Sequence, residues 1–446
     1  MSMNRHLILL GAACWLLFIF NVPATTFYVD VNSTNPTPPY ADWSTAAMDI
    51  QSAVDAATNG DLVLVTNGIY AAGGRELNNI PPTNRVTVTK AITLMSVNGS
   101  SVTVIKGYKM PGTNPNGASA IRCVYLTNGA VLAGFTLTNG ASYSNPAGGL
   151  YNLGGAVFCQ STNIMLPISA AVASNCIIVG NSSAFDQVAY GGRLDNCVLA
   201  FNSGGAYDCI LNNCTVVSNS ASSLGSGIHF CTASNCIVYY NTAPSNPNAW
   251  ASTLAYCCIT PAYAGPGNIT NEPAFVDLVN GDYHLSSNSP CINAGNNAYV
   301  SSTNDLDGNP RIVGGTVDIG AYEYQTPSSV LSYAWAQQYG LPTDGTADYT
   351  DSDGDGMSNY AEWKAGTNPT NAASVLALQS PATTNTTGIT VTWQSVSGVT
   401  YYLQGSANLP AFTSVKSNLV GQAGSTSYTD TTATNGGPYF YRVGVQ

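Results

Sequence analysis

Between Gly148 and Cys258 one short pattern returns five times: GGAVFCQST with SNCIIVGNSS, then GGRLDNCVLAFNS, GGAYDCILNNCTVVSNS, GSGIHFCTASNCIVYYNT and LAYCCIT. The fullest copies join a glycine pair, a short apolar run, the dipeptide Asn-Cys and a second apolar run that ends at Asn. Cys176, Cys197, Cys214, Cys236 and Cys258 occupy one point of the repeat, which sets a period of about 20 residues, the range of solenoids that stack one coil per repeat. The runs CIIV, CVLA, CTVV and CIVYY are short and β-branched, and the Gly and Asn between them accept the positive φ of a tight bend. A coil of two or three strands follows. Stacked coils form parallel sheets with strands about 4.8 Å apart, so like residues meet. The cysteines then make an internal column, with Cys159, Cys209 and Cys231 in a second one. Asn202, Asn219 and Asn241 make a column of amides at a turn, each bonding to the next coil.

On these repeats the chain resembles the right-handed parallel β-helices of the pectate-lyase-like superfamily, and most nearly the Gly-Gly/Asn-Cys repeats of large bacterial surface proteins. The resemblance implies an all-β chain with a right-handed parallel β-helix over 25–324. The stretch Ile50–Tyr70 is similar to many β-helix entries, where a short helix covers the first coil. Ile50, Val54 and Ala57 share one face of that helix, and Asn59-Gly60 ends it. Covering an open sheet end removes an edge on which another chain could pair. Phe135 stands where later coils have Cys, and residues 140–154 are expected to form a side loop.

Residues 1–24 carry the marks of a signal peptide: Arg5, an apolar run from Leu7 to Phe20, and the small residue of Val22-Pro23-Ala24. The run is short for a membrane span, and no later segment is apolar enough, so an exported, monomeric chain is expected. The net charge of -11 argues against nucleic acid, whose phosphates would be repelled. Export invites disulfides in the eleven cysteines that remain. The repeat argues for reduced thiols instead: stacked Cys pack as small apolar groups, and their parallel Cβ vectors fit the disulfide torsion poorly.

Residues 271–324, NEPAFVDLVNGDYHLSSNSPCINAGN to DIGAYEY, resemble the choice-of-anchor Q segment of bacterial β-helix proteins. Asp307, Arg311, Asp318 and Glu323 carry the match, and Arg311 is expected to pair with these acids and lock the last coils shut. In residues 325–372 a short helix leads into Asp351-Ser-Asp353-Gly-Asp355-Gly356-Met357-Ser-Asn359-Tyr-Ala-Glu362. This satisfies a twelve-residue Ca2+ loop at every position. Asp351, Asp353 and Asp355 supply carboxylates, Gly356 the sharp turn, Met357 its carbonyl, Asn359 the ninth position and Glu362 two oxygens. The stretch resembles single dockerin-like or thrombospondin type 3 calcium repeats, and one copy reads as a calcium-stiffened linker. Residues 373–446 alternate apolar and polar in short strands and resemble a fibronectin type III-like sandwich, with Trp393 and Tyr441 in its core.

Enzymes on this scaffold place carboxylates, or an Arg or Lys base, at one coil position on neighbouring coils. Asp186, Asp195 and Asp208 share no coil position. Lys106, Lys109, Arg122 and Arg193 are scattered and expected to be solvated, with Arg193 the first to test as a lyase base. His229 has no visible partner and reads as structural. Tyr151, Tyr190, Tyr207, Tyr239, Tyr240 and Tyr256 lie along the solenoid, where outward rings stack on sugars. The reading is a secreted or cell-surface protein that engages polysaccharide or another surface without catalysis. The alternatives are a polysaccharide lyase or glycoside hydrolase, and a structural spacer or adhesin.

Overall fold

The computed structural model describes residues 24–77, 80–145, 149, 152–160, 170–222, 225–385, 388–433 and 437–446. The leader expected at 1–24 lies outside them except for Ala24, as do residues 146–148, 150 and 151 of the side loop, Tyr151 included. Each full coil contributes three strands. The first sheet holds nine, from Thr26–Val29 to Thr253–Ala255. The second holds eight, from Gly68–Tyr70 to Cys258–Ile259, and the third eight, from Arg75–Leu77 to Ala249–Trp250. Coil follows coil in register, so that Thr136, Ile177, Val198, Thr215, Ile237 and Cys258 stand in one row. The hairpin of Arg75–Leu77 with Ile80–Val88 runs antiparallel at the edge of the third sheet. Three parallel sheets wound in this way are a parallel β-helix. The helix Ile50–Ala56, capped by the Asp49 side chain, buries Ile50, Ala53 and Val54 against the first coils.

Left-handed residues make the corners. Asn175, Asn196, Asn213 and Asn235 have φ of 49–53° and each precedes a column cysteine; Phe201, Ser218 and Tyr240, at 54–55°, each precede a column asparagine. Non-glycine residues adopt this region at a cost, and the amide column offsets it. Asn181, Asn202, Asn219, Asn241 and Asn248 are linked in sequence, each Nδ2 donating to the next Oδ1 at 2.9–3.0 Å. Each Oδ1 from Asn202 to Asn248 also accepts the backbone N–H of the preceding Asn in the row; Asn248, seven residues after Asn241, ends it. Corner groups that would otherwise be buried without partners are thereby satisfied. The glycines serve close approach: a Cβ on Gly205 would lie 1.8 Å from the Gly227 carbonyl oxygen. Gly191-Gly192 follows the strand Ser182–Tyr190, whereas Gly204-Gly205 lies within the strand Ser203–Tyr207, so the glycine pairs do not mark one repeat position.

The thiol column differs from expectation at its end. It runs Cys176, Cys197, Cys214, Cys236 and then Cys257, not Cys258. Cys258 pairs with Ile237, one residue beyond Cys236, and a one-residue step turns a side chain to the other face of the strand. Phe135 occupies the column's upper end. In the second column Gly192 interrupts Cys159 and Cys209: a Cβ there would meet Cys159 Sγ at 2.8 Å. The eleven described cysteines are free and buried. Cys214→Val is expected to overpack the column and cost about 1–3 kcal/mol; an unchanged midpoint in chemical denaturation would count against this packing.

Residues 271–333 pack against the last four coils of the solenoid. They lie along its flank, over the outer face of the second sheet. Val198, Ala200, Val217, Ile237 and Cys258 point outward and are buried beneath Tyr283, Leu285, Cys291, Ile292, Ile319, Ala321 and Tyr333. This explains why CVLA and CTVV are apolar on both sides of the strand, whereas Thr136 and Thr138 flank Leu137 on an earlier coil. The flank is tied down by Ala321 N to Thr215 Oγ1 (3.0 Å), Gly320 N to Asn235 O (2.9 Å) and Asn196 Nδ2 to Asn304 O (3.0 Å).

The chain ends in two three-stranded antiparallel sheets. One is built from Leu378–Asn385, Gly388–Ser395 and Gly424–Asp430, the other from Thr413–Val420, Thr400–Ser406 and Phe440–Val445. Trp393 of the first meets Tyr401 of the second edge-on at 6.1 Å, and both are buried. Tyr441 is only half-buried, its hydroxyl 2.9 Å from Asp430 Oδ2.

Candidate functional site

The acidic loop folds on its own backbone. Asp351 Oδ1 accepts from Gly354 N (2.8 Å) and Oδ2 from Gly356 N (2.9 Å), while Asp355 Oδ1 accepts from Met357 N (2.7 Å). Gly354 and Gly356 have φ of 80° and 95°, which the turn requires. One carboxylate oxygen from each of Asp351, Asp353 and Asp355 lies within 4.8 Å of the others. The helix Asn359–Ala365, capped by Ser358, buries Glu362 completely. Four buried oxygens have no hydrogen-bond partner: Asp353 Oδ2, Asp355 Oδ2, Asn359 Oδ1 and Glu362 Oε2. Each such atom costs about 1–3 kcal/mol, and natural loops do not accumulate them without compensation. Burial, and then the charges of Asp353, Asp355 and Asp351, push the Glu362 carboxyl up to about 7. These oxygens fit a hard divalent cation, which takes six to eight oxygen ligands and cancels their repulsion. The Met357 sulfur accepts from Leu376 N at 3.2 Å and so ties the loop to the C-terminal sheets. Asn359 is held by Nδ2 to Ala347 O (2.8 Å), which leaves Oδ1 as its available ligand atom.

The acids around Arg311 form a different kind of cluster. Arg311 is 1% exposed; its Nη2 donates to Asp318 O (3.0 Å) and Gly320 O (2.7 Å) and lies 3.8 Å from Glu323 Oε2. Asp305, Asp318 and Glu323 are buried beside it, each accepting backbone N–H groups from the irregular chain between 293 and 324. Burial pushes the carboxyls of Asp318 and Glu323 up; the charge of Asp305 adds to it at Asp318, and that of Asp318 at Glu323. Solvent does not reach this set, so it braces the flank and cannot act on a polymer. Asp307, expected in the cluster, is not there. Asp305 takes the place, because a D-L-D turn puts the two acids on separate sides and only one is buried.

Asp307 instead meets His284, which no motif in the sequence marks. His284 Nε2 lies 2.6 Å from Asp307 Oδ2 and Nδ1 2.6 Å from Asp282 Oδ1. These two carboxylates raise the imidazole above its usual 6.5 against the opposing effect of burial. A raised histidine stabilises the fold fully below pH 6.5 and loses that contribution as pH climbs through its folded value. Thermal midpoints of the native chain should therefore fall more steeply above pH 6.5 than those of His284→Gln. Parallel curves would show that the imidazolium bridge does not hold the flank.

The scattered bases part company in the structure. Arg193 is half-exposed and its Nε donates to Asp195 Oδ2 at 2.8 Å; Asp195 Oδ1 accepts in turn from Asn212 Nδ2 at 2.9 Å. Arg193 and Asp195 are two residues apart on one strand and so share a face. Arg122, expected in solvent, is buried. It donates to Asn84 Oδ1 (2.7 Å), Leu153 O (2.8 Å) and Gly154 O (2.6 Å), with its guanidinium 4.8 Å from the Phe158 ring centroid. Lys106 is exposed and Lys109 half-buried.

The outer face of the third sheet carries a row of aromatic rings. Tyr125, Phe158, Tyr190 and Tyr207 stack coil upon coil with centroids 4.9–5.8 Å apart and planes within 17°. Leu77 and Leu153 cover the first two. Within this stack the ring faces are spent on each other. The stack breaks at His229, which meets Tyr207 at 4.8 Å and Trp250 at 4.4 Å edge-on. His229 thus has ring partners, although its Nε2 has no hydrogen bond. Phe230 beside it is 48% exposed. The other tyrosines serve elsewhere: the Tyr239 hydroxyl donates to Thr270 O (3.2 Å), that of Tyr240 to Glu272, and Tyr256 packs near Tyr299.

Fold and loop together define a parallel β-helix protein that carries a calcium-type repeat. Residues 351–372 match the bacterial TSP3 repeat family, and no helix among the described residues is long and apolar enough to cross a membrane. Among solved structures, the chain is similar to the crystal structure of pectate lyase Pel9A, at 14% identity over 68% of this chain and 97% of that one, with a TM-score of 0.34. It is also similar to a rhamnogalacturonan lyase, at 10% identity over 57% of this chain and 64% of that one, with a TM-score of 0.34. At such scores the fold assignment rests on the sheet register above. No curated protein sequence matches the chain.

Proposed function

We propose that this is an exported β-helix protein that binds polysaccharide on its outer face, with a calcium-loaded repeat at 351–372 stiffening the link to its C-terminal sheets. Asp351, Asp353, Asp355, Asn359 and Glu362 would hold the ion with their side chains and Met357 with its carbonyl. The observation that carries binding is the end of the aromatic row, where His229, Phe230 and Trp250 meet edge-on or tilted at 4.4–5.5 Å instead of stacking, and Phe230 stays 48% exposed. Aromatic faces not covered by a stacked neighbour are surfaces on which pyranose rings pack. Glycan-array binding by the full chain, without product release and lost for at least one glycan in Trp250→Ala, tests this. An array that captures nothing would leave a structural spacer or adhesin.

A lyase is the second reading. Its support is the Arg193–Asp195 pair, which borders a cleft of about 300 Å³ with Ser174, Asn175, Ser301 and Ser302. Against it, the Arg193 Nε–H is already spent on Asp195. Unsaturated uronate absorbance from pectin or alginate that vanishes in Arg193→Ala would make the protein an enzyme.

A further inference from the structure

A cleft of about 560 Å³ opens where the last coil, the flank segment and the calcium repeat meet. This falls within the size range of small-ligand sites, which favour such junctions. Three aromatic side chains from three elements line it: Tyr256 from the last coil, Trp335 from the helix Tyr333–Gln338, and Trp363 from the helix Asn359–Ala365. All three are partly exposed. Trp335 is set edge-on to Tyr339 at 5.2 Å, and Lys364 Nζ lies 3.7 Å from the Trp363 ring centroid, so both indoles are held in place. Exposed Asn271 and Gln338 also line the cleft. Each amide offers two donors and a carbonyl acceptor, the complement of a pair of adjacent hydroxyls. The lining includes no Asp, Glu, Lys or Arg.

We infer that this cleft is a binding subsite for an uncharged pyranose polymer, with Trp335 and Trp363 packing on sugar faces and Asn271 and Gln338 bonding hydroxyls. The assignment rests on the polysaccharide-binding reading above and adds to it a second site and a substrate class. The chain's net charge of -11 repels a carboxylated sugar, and Lys364, beside the wall, is held over the Trp363 ring. Trp363 follows Glu362 directly, so one wall of the cleft is carried by the helix that contributes to the calcium loop.

Full-length protein in calcium should be titrated with cellohexaose, xylohexaose, mannohexaose and polygalacturonate, following tryptophan fluorescence and, independently, calorimetric heat. At least one neutral hexaose should bind. Trp335→Ala should weaken it about tenfold or more, the loss of roughly 1.4 kcal/mol of stacking. Gln338→Ala, an exposed substitution that leaves the fold intact, should weaken it several-fold. Trp250→Ala, in the row on the third sheet, should leave this binding within about twofold. Neutral-hexaose binding that ignores Trp335→Ala and Gln338→Ala but is lost in Trp250→Ala would overturn the cleft and leave the wider reading standing. Binding of polygalacturonate alone would overturn the substrate class. Binding of nothing would overturn both.

Discussion

Glu362→Gln is expected to weaken calcium binding by about 100-fold or more. Losing even an outer-shell partner of a metal ligand costs roughly 10- to 100-fold, and Glu362 supplies charge directly. Its side chain is buried, its Oε2 has no protein partner, and its Oε1 is only 3.3 Å from the Thr367 hydroxyl. The amide keeps the shape and removes the charge that opposes a divalent ion. Calorimetric titration of full-length protein reads the loss directly. The pH dependence checks the same residue. With its carboxyl raised to about 7 in the calcium-free fold, the folded chain holds a proton that the unfolded chain has released above 4.5. Calcium-free stability therefore falls as pH rises from 4.5 toward 7. Calcium requires the ionised form, so its affinity should climb over the same window. The stability gap between calcium-loaded and calcium-free protein should widen from pH 4.5 to 7 in the native chain and widen less in Glu362→Gln. An equal gap in both would remove Glu362 from the ligand set.

Arg311→Met is expected to destabilise the solenoid by about 3–5 kcal/mol, the cost of leaving buried acids without their counterion. Methionine fills much of the same volume, so the loss reports charge more than packing. Asp305, Asp318 and Glu323 would then face each other with no cation within the cluster, while continuing to accept the backbone N–H groups that shape 293–324. The flank segment buries Val198, Val217 and Ile237, so its release should expose apolar surface. Raised dye binding and early proteolysis between 271 and 333 should accompany the lowered midpoint. A stable Arg311→Met protein with a protected flank would show that the apolar contacts alone hold the segment.

Periodicity made the solenoid legible. Asn-Cys returning about every 20 residues dictates stacked short strands, because only in-register coils let the same small thiol and the same amide meet their own kind. The acidic loop was legible for a similar reason: its ligands are local, and spacing alone brings Asp351, Asp353 and Asp355 together. Errors arose where one residue of register or one turn decided the outcome. Cys257 and Cys258 are indistinguishable in a string, and Asp305 and Asp307 both fit the D-L-D turn. Nothing near Arg122 in the chain marks it as buried, because its partners, Asn84 and the carbonyls of Leu153 and Gly154, are far away along the chain.

What the order of residues determined, then, was everything carried by short-range spacing: a coil with left-handed corners, inward columns of thiol and amide, and an oxygen-rich loop. Where 271–333 would lie, which rings would stack on one another and which would be left open, and that Tyr256, Trp335 and Trp363 would border one cleft were decided only by the tertiary structure. Those outcomes depend on which outer face a distant segment covers. Apolar burial sets that choice, and it has no direction along the chain.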